Sequence, residues 1–429
     1  MRRQLSRSIA AVCALFLGAE ARADLTYEVE AGVGHSDNIT RVESEQVDET
    51  LATIGARVDY TNTTRRLDAD VNVDLDYVEY LDDTYDGEVL GTADANLNFG
   101  LIPERLTWQV QDSFGQAQSD PFSPVTPDNS ENVNYFTTGP DLVLNLGSQN
   151  SMRLFGRYST TNYEVTDLDG ERLGGGLSLI RALSGASSVA LNGTVEESEF
   201  DNPASSGYEN RSASVSYDFT GGRTTISSRL GYSWIELDDG TENGGELIEL
   251  SVTREMSSSS SLAFSVGSQF SDAGNELRGF ASGGGAGGGG PGQIVASSDP
   301  FENRTASLDW NFQRNRTGIS VGIAYDENVY EEQTQYDRTR ISYHGNFSRQ
   351  LRPTLTFMLA ARFSEDEFDL SGLKFDDTHA SASLTWGMSR HLGLRASVEH
   401  FARGSSQPGG DFDENRAFLT VTYSGGRAQ

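Results

Sequence analysis

Between Leu67 and Tyr80 the chain reads LDADVNVDLDYVEY, with Leu67, Ala69, Val71, Val73, Leu75 and Tyr77 on one parity and Asp68, Asp70, Asn72, Asp74 and Asp76 on the other. A period of two marks a strand with one apolar and one wet face. In water, that apolar face needs a core to cover it, and the chain has little to build one from. Only 36% of its residues are hydrophobic, 46 of the 429 are glycine, and the mean hydropathy is -0.46. Nor is there a run of about 18 apolar residues, the length needed to cross a bilayer as a helix.

The same alternation recurs along the whole chain. Tyr27, Val29, Ala31 and Val33 alternate with Glu28, Glu30, Gly32 and Gly34; Ile54, Ala56, Val58 and Tyr60 alternate with Thr53, Gly55, Arg57 and Asp59. Later examples are Leu106, Trp108 and Val110, then Ile319, Val321, Ile323 and Tyr325, then Leu355, Phe357, Leu359, Ala361 and Phe363. Short polar turns near Thr63, Pro103, Gln149, Gly185, Gly221, Ser258, Asn315, Arg352 and Arg390 are separated by longer loops. Short turns on one rim and long loops on the other describe an up-and-down membrane barrel. The expected fold is therefore all-β, a single antiparallel transmembrane β-barrel of about 20 strands with short periplasmic turns and longer extracellular loops. Lipid covers every apolar face at once, and closure satisfies the backbone as hydrocarbon requires.

Arg2, Arg3 and Arg7 precede an apolar run from Ile9 to Gly18, and Ala21-Arg22-Ala23 supplies a small-x-small cleavage pattern before Asp24. Residues 1–23 read as a secretory signal peptide and residues 24–429 as the barrel domain. The only cysteine, Cys13, lies in the apolar run, so the mature chain has no disulfide and no cysteine metal site. These features place the protein in the outer membrane of a Gram-negative cell.

One stretch breaks the rhythm. Residues 271–300 contain the glycine-rich run Gly283 to Gly292 and read as an extracellular loop insertion, flexible by composition. The alternative is a loop that folds into the lumen and restricts it. A further repeat places an aromatic before a charged cluster and a second aromatic 9 to 11 positions on. It starts at Tyr208, Phe301, Phe375 and Phe412 and ends near Tyr217, Trp310, Trp386 and Tyr423. The separation suits the two interfaces of a membrane, so both aromatics are expected in the lipid-facing girdles.

If the apolar parity faces lipid, the polar parity lines the lumen. An acidic pore wall is then expected from Glu28, Glu30, Asp59, Asp68, Asp70, Asp74, Asp76 and Asp94, and a basic one from Arg153, Arg157, Arg229, Arg338, Arg340, Arg362 and Arg395, with His344 among them. Opposed charges across a narrow passage orient and select polar solutes. Acidic clusters such as Asp82-Asp83, Glu196 to Glu199 and Glu365 to Glu367 are expected in solvated loops, and none has the spacing of a Ca²⁺ loop. No metal site or cofactor is expected. Lys374 is the sole lysine and no basic patch is interleaved with aromatics, so nucleic acid is not an expected partner. His35 with Asp37, or His344 beside the inward arginines, would be the candidates for catalysis, but no nucleophile, base and orienting group can be assembled from spacing, and the protein is not expected to be an enzyme.

The end of the first strand, Gly32-Val33-Gly34-His35-Ser36-Asp37-Asn38-Ile39, resembles the start of a family of outer-membrane β-barrel porins encoded in bacterial exopolysaccharide gene clusters. There a glycine-containing first strand runs into a similar S/D-D-N-I element, here Ser36, Asp37, Asn38 and Ile39. The resemblance implies a role in moving, or helping to secrete, a polysaccharide across the outer membrane. Expected partners are outer-membrane lipid and lipopolysaccharide, the polysaccharide or small polar solutes, and periplasmic secretion partners. A general diffusion porin is the alternative. One departure is the end of the chain, where Ser424 to Gln429 follow Tyr423 as an extension of the expected last strand, Phe418 to Tyr423.

Overall fold

The computed structural model describes residues 24–203, 205–281 and 294–427. The expected signal peptide and the run Gly283 to Gly292 lie outside these residues. Twenty antiparallel strands form one sheet, and pairing of the last strand with the first closes it. The first five are β1 (Asp24–Ser36), β2 (Glu49–Thr63), β3 (Leu67–Tyr80), β4 (Glu88–Ile102) and β5 (Leu106–Gln118). Next come β6 (Ser130–Asn145), β7 (Asn150–Tyr163), β8 (Gly170–Ala182), β9 (Ser187–Phe200) and β10 (Tyr208–Gly221). They are followed by β11 (Thr224–Leu237), β12 (Glu242–Ser257) and β13 (Ser260–Ser271), then helix α1 (Ala273–Ala281), β14 (Phe301–Arg314) and β15 (Thr317–Tyr330). The chain ends with β16 (Arg338–Arg352), β17 (Leu355–Phe368), β18 (Lys374–Gly387), β19 (Leu392–Ser405) and β20 (Phe412–Arg427).

Every short turn expected from the sequence joins a down-going to an up-going strand on the periplasmic rim. Four of these turns hold a residue of positive φ, Glu104 at 61°, Gly147 at 129°, Gly222 at 62° and Asn315 at 52°. The tail after Tyr423 is strand as well, since Ser424 to Arg427 pair with Glu28 to Leu25. Strand β20 therefore runs beyond the expected Phe418 to Tyr423.

The register separates the two faces. Val29, Ile54, Leu230, Val398 and Leu419 stand exposed on the outer face, while their strand neighbours of opposite parity point inward and bond one another. A 14-residue strand such as β3, rising about 3.3 Å per residue at a tilt near 40°, projects to roughly 35 Å, about 10 Å more than the apolar band of a membrane barrel. The excess emerges on the extracellular side, and there the pattern inverts. Tyr77 and Glu79 point outward, while Val78 and Tyr80 point inward and are buried. Likewise Glu236 points out, and Ile235 and Leu237 are buried within. Above the membrane the outer face meets water and the inner face packs against loops, so the side that needs apolar residues changes.

The inversion corrects the aromatic repeat. Tyr208, Phe301, Phe375 and Phe412 are buried on the inner face, whereas Tyr217, Trp386 and Tyr423 are exposed on the outer face. Separations of 9 and 11 are odd, and on a strand an odd step changes faces. Two acidic clusters expected in loops, Glu196 to Glu199 and Glu365 to Glu367, are residues of β9 and β17.

Candidate functional site

The lumen wall is built by register. Across β1 to β5, Thr26, Asp59, Asn72, Asp94 and Ser113 form one rung, in which Asp59 accepts from Thr26 Oγ1 at 3.1 Å and from Asn72 Nδ2 at 3.0 Å, and Asp94 accepts from Ser113 Oγ at 2.8 Å. The next rung toward the periplasm is Thr61, Asp70, Asn96 and Gln111. Asp68 pairs in register with Asn98, and Thr63 Oγ1 donates to it. All eight carboxylates expected on the acidic wall, Glu28, Glu30, Asp59, Asp68, Asp70, Asp74, Asp76 and Asp94, face inward.

The seven arginines expected on the basic wall also face inward, but they are interleaved with carboxylates. Arg395 donates to Glu28 and Glu30, each at 2.8 Å, and so sits within the acidic wall. Arg57, which sequence parity placed inward without assigning it a part, donates to Glu30 and Asp74, each at 2.9 Å. Arg153 and Arg157 share Asp141, Arg229 grips Glu249 with two nitrogens, and Arg338 and Arg340 converge on Asp366. His344 Nε2 lies 3.2 Å from Asp309. The arginines do not form one cationic wall, whereas Asp59, Asp68, Asp70 and Asp94 make no ion pair among the described residues and leave the periplasmic half of β1 to β5 acidic.

The extracellular half is crossed by two connections. The segment after β13 turns inward rather than outward, and α1 packs against the inner faces of β5, β6 and β7, where Ala273 and Leu277 cluster with Ala117, Val133, Tyr135 and Tyr163. Gly115 leaves room for Leu277, because a Cβ there would lie 2.7 Å from Leu277 Cδ1. Asp272 fastens the start of α1. It accepts from Arg172 Nη2 at 2.6 Å, from Tyr208 Oη at 2.5 Å and from the Asn275 amide at 3.0 Å. Burial raises the Asp272 carboxyl, but the adjoining Arg172 outweighs it and holds the group below the usual carboxylate range. Glu276, one turn on, is pushed up to about 8, by burial first and then by Asp326, with Arg338 and Arg340 opposing.

The returning limb pairs with the end of β5, Gln118 donating to Ile294 O at 2.7 Å and Ala296 to Gln118 O at 2.9 Å. The β5–β6 connection reaches over to β17, where Phe122 packs on Phe368 with centroids 4.7 Å apart. Inward-folded loops thus narrow the extracellular mouth, a feature that alternation in the strands does not report.

The Ser36 to Ile39 element lies at the barrel seam. Ser36 Oγ donates to Glu414 at 2.6 Å, Asn38 Nδ2 donates to Asp413 O at 2.9 Å, and Asp37 accepts from both the backbone and side-chain nitrogens of Asn415 at 2.7 and 2.8 Å. Ile39 is buried with Leu51, Val78 and Tyr80. His35 is exposed, and the hydrogen bonds given for Asp37 go to Asn415.

Residues 248–424, two-fifths of the chain, match the family described as "Putative beta-barrel porin 2". No curated protein matches the chain. Among solved structures, the FrpB iron transporter from Neisseria meningitidis is similar at TM-score 0.48 and 8% identity, over 96% of this chain and 83% of that one. The siderophore receptor PirA from Acinetobacter baumannii is similar at 0.47 and 9%, over 95% and 81%. OccK2 (OpdF) from Pseudomonas aeruginosa is similar at 0.38 and 11%, over 95% and 98%. A closed sheet with an apolar outer belt and a charged interior, matched over its last nine strands by a porin family, makes this chain an outer-membrane β-barrel protein.

Proposed function

We propose that this protein is an outer-membrane channel that takes part in exporting or secreting exopolysaccharide. The observation that carries the reading is the lumen wall. Asp68, Asp70 and Asn72 are exposed inside the barrel, and rungs such as Thr61, Asp70, Asn96 and Gln111 present hydroxyl, carboxylate and amide groups side by side. Planar polar groups at strand spacing suit the repeated hydroxyls of a sugar chain, and many weak contacts let it leave as well as enter. Such export calls for periplasmic secretion partners at the short-turn rim. On the outer face, exposed Arg211 and Arg304, flanked by Glu209 and Glu302, stand where lipopolysaccharide head groups meet the barrel.

A second reading, a general diffusion porin for small polar solutes, is favoured by α1, which packs on the inner wall and occupies part of the lumen. Planar-bilayer recording separates the two. The export reading expects current that candidate polysaccharides block, and reduced secretion in a deletion strain. Unblocked current together with normal secretion refutes it, and liposome swelling with small sugars then supports the porin.

A further inference from the structure

Charge on the outside of the barrel is segregated by height. At the extracellular margin Glu197, Glu209, Glu236 and Glu242 occupy one rung across β9 to β12. At the opposite margin every short turn except that between β6 and β7 has an exposed arginine, on the turn or near the strand end beside it, with Glu104 and Glu255 interspersed. The longest basic run among these turns is Arg65-Arg66, so the sequence does not announce the feature, and barrel closure gathers the arginines into a ring.

The ring is densest at β14 to β16. Arg314 pairs in register with Thr317, and Thr317 with Arg349, so two arginines about 10 Å apart flank one hydroxyl on three successive strands. They share the parity of Trp310, Ile319 and Phe347 on their respective strands, so all three face lipid rather than the lumen. Arg316 lies on the adjoining turn and Arg352 at the end of β16. These four arginines are exposed, and their guanidinium groups make no ion pair or hydrogen bond among the described residues, unlike the arginines of the lumen wall. Trp310, four residues up the same face as Arg314, lies about 10 Å nearer the membrane centre. Phe347, two residues up from Arg349, packs with Phe357 at a centroid distance of 6.4 Å. The cationic groups therefore lie below the aromatic belt, at the depth of the inner leaflet's head groups.

We propose that Arg314, Thr317 and Arg349 form a site for the head group of an anionic phospholipid of the inner leaflet. The two guanidinium groups offer paired N–H donors to the phosphate oxygens, the Thr317 hydroxyl donates between them, and Ile319, Phe347 and Phe357 above receive the acyl chains. Arg316 and Arg352 add positive charge at the rim, so a head group of net negative charge is favoured over a zwitterionic one, whose own cation is repelled. A leaflet surrounds the barrel on all sides, as the ring of arginines does, whereas a periplasmic protein meets the turn tips from below. The site rests on the barrel's place in the outer membrane and not on what passes through its lumen.

Native mass spectrometry of the refolded barrel, equilibrated in detergent with equimolar phosphatidylglycerol and phosphatidylcholine of the same acyl chains, tests the site by the lipids retained. Phosphatidylglycerol is expected to be retained about tenfold over phosphatidylcholine, each of the two arginines contributing about a factor of five. Arg314→Gln with Arg349→Gln brings the two lipids to near-equal retention. Thr317→Val lowers the preference, and Arg314→Lys with Arg349→Lys, which keeps the charge but not the fork, leaves part of it. Arg105→Gln with Arg223→Gln, the same loss of charge at other turns, leaves it in place. Excess inorganic phosphate, against chloride at matched ionic strength, does not displace the lipid, because the acyl chains hold it. Heat-modifiable migration on gels verifies that each variant folds. Equal retention of the two lipids by the parent protein, or a preference that survives Arg314→Gln with Arg349→Gln, overturns the site and leaves the exposed arginines to an acidic periplasmic partner. A preference lost as fully in the Arg105→Gln and Arg223→Gln pair overturns it in favour of diffuse attraction around the ring, and displacement by inorganic phosphate overturns a lipid as the occupant.

Discussion

Asp70 and Asp74 stand four residues apart on the same face of β3, yet their electrostatic settings differ. Asp74 is held by Arg57 Nε at 2.9 Å, whereas Asp70 makes no ion pair among the described residues and faces the water of the lumen. A unit charge about 10 Å from a passing ion in water contributes roughly 0.4 kcal/mol, so Asp70→Lys, a change of two charges that acts in opposite senses on cations and anions, is expected to lower the cation-over-anion permeability ratio roughly tenfold at low salt. Reversal potentials under a salt gradient measure this, and an unchanged ratio would show that ions pass the other wall. The inward position of Asp70 is legible from parity alone. The pairing of Arg395 with Glu28, 367 positions away, is not, because only barrel closure brings β19 and β1 within two strands of each other.

At the scale of the element, α1 is what the sequence concealed. It is nine residues long and lies beside a glycine-rich run, so period-two strands on both sides dominate any reading of the pattern. Its anchor is specific. Asp272 and Arg172 are nearly fully buried together, and removing one partner of such a pair costs about 3–5 kcal/mol. Asp272→Asn is therefore expected to release α1 from the wall and raise single-channel conductance, while the thermal transition of the barrel stays in place; unchanged conductance would mean that α1 does not limit the passage. Glu276 gives the same element a pH dependence. Its carboxyl is raised from the usual range to about 8 by burial and by Asp326, against Arg338 and Arg340, with Asp272 at the helix start adding to the repulsion. A raised carboxyl binds its proton more tightly in the docked state, so docking is strongest below the usual carboxylate range and weakens as pH rises to about 8. Conductance is expected to rise between pH 5 and pH 9, read in steps of about one unit, and Glu276→Gln should flatten that dependence.

For the molecule as a whole, the decisive event is closure, since twenty strands with two free edges would leave unpaired backbone in hydrocarbon. The strand pattern foretold the barrel because each strand carries its own two faces. It did not foretell how the ends of the chain find each other, since that depends on contacts between residues nearly 380 positions apart. The Ser36-Asp37-Asn38-Ile39 element supplies those contacts. Asn38 is wholly buried, its side chain donating to Asp413 O and Val42 O and accepting from the Val42 amide, while Glu414 opposite it joins Ser36, Arg41 and Arg416. This position gives the resemblance noted at the first strand a physical content: a short motif that latches the first strand to the last at the extracellular rim. Asn38→Ala leaves the part-buried Asp413 and Val42 carbonyls without their donor, a loss of about 1–2 kcal/mol. Ser383→Ala, in the middle of the lumen wall on β18, should cost less than about 0.5 kcal/mol. Denaturant midpoints of the two refolded variants, with heat-modifiable migration as a second readout, are expected to separate them in that order. Equal midpoints would show that the backbone pairing of β1 with β20 closes the barrel unaided and that the motif is kept for something other than the seam.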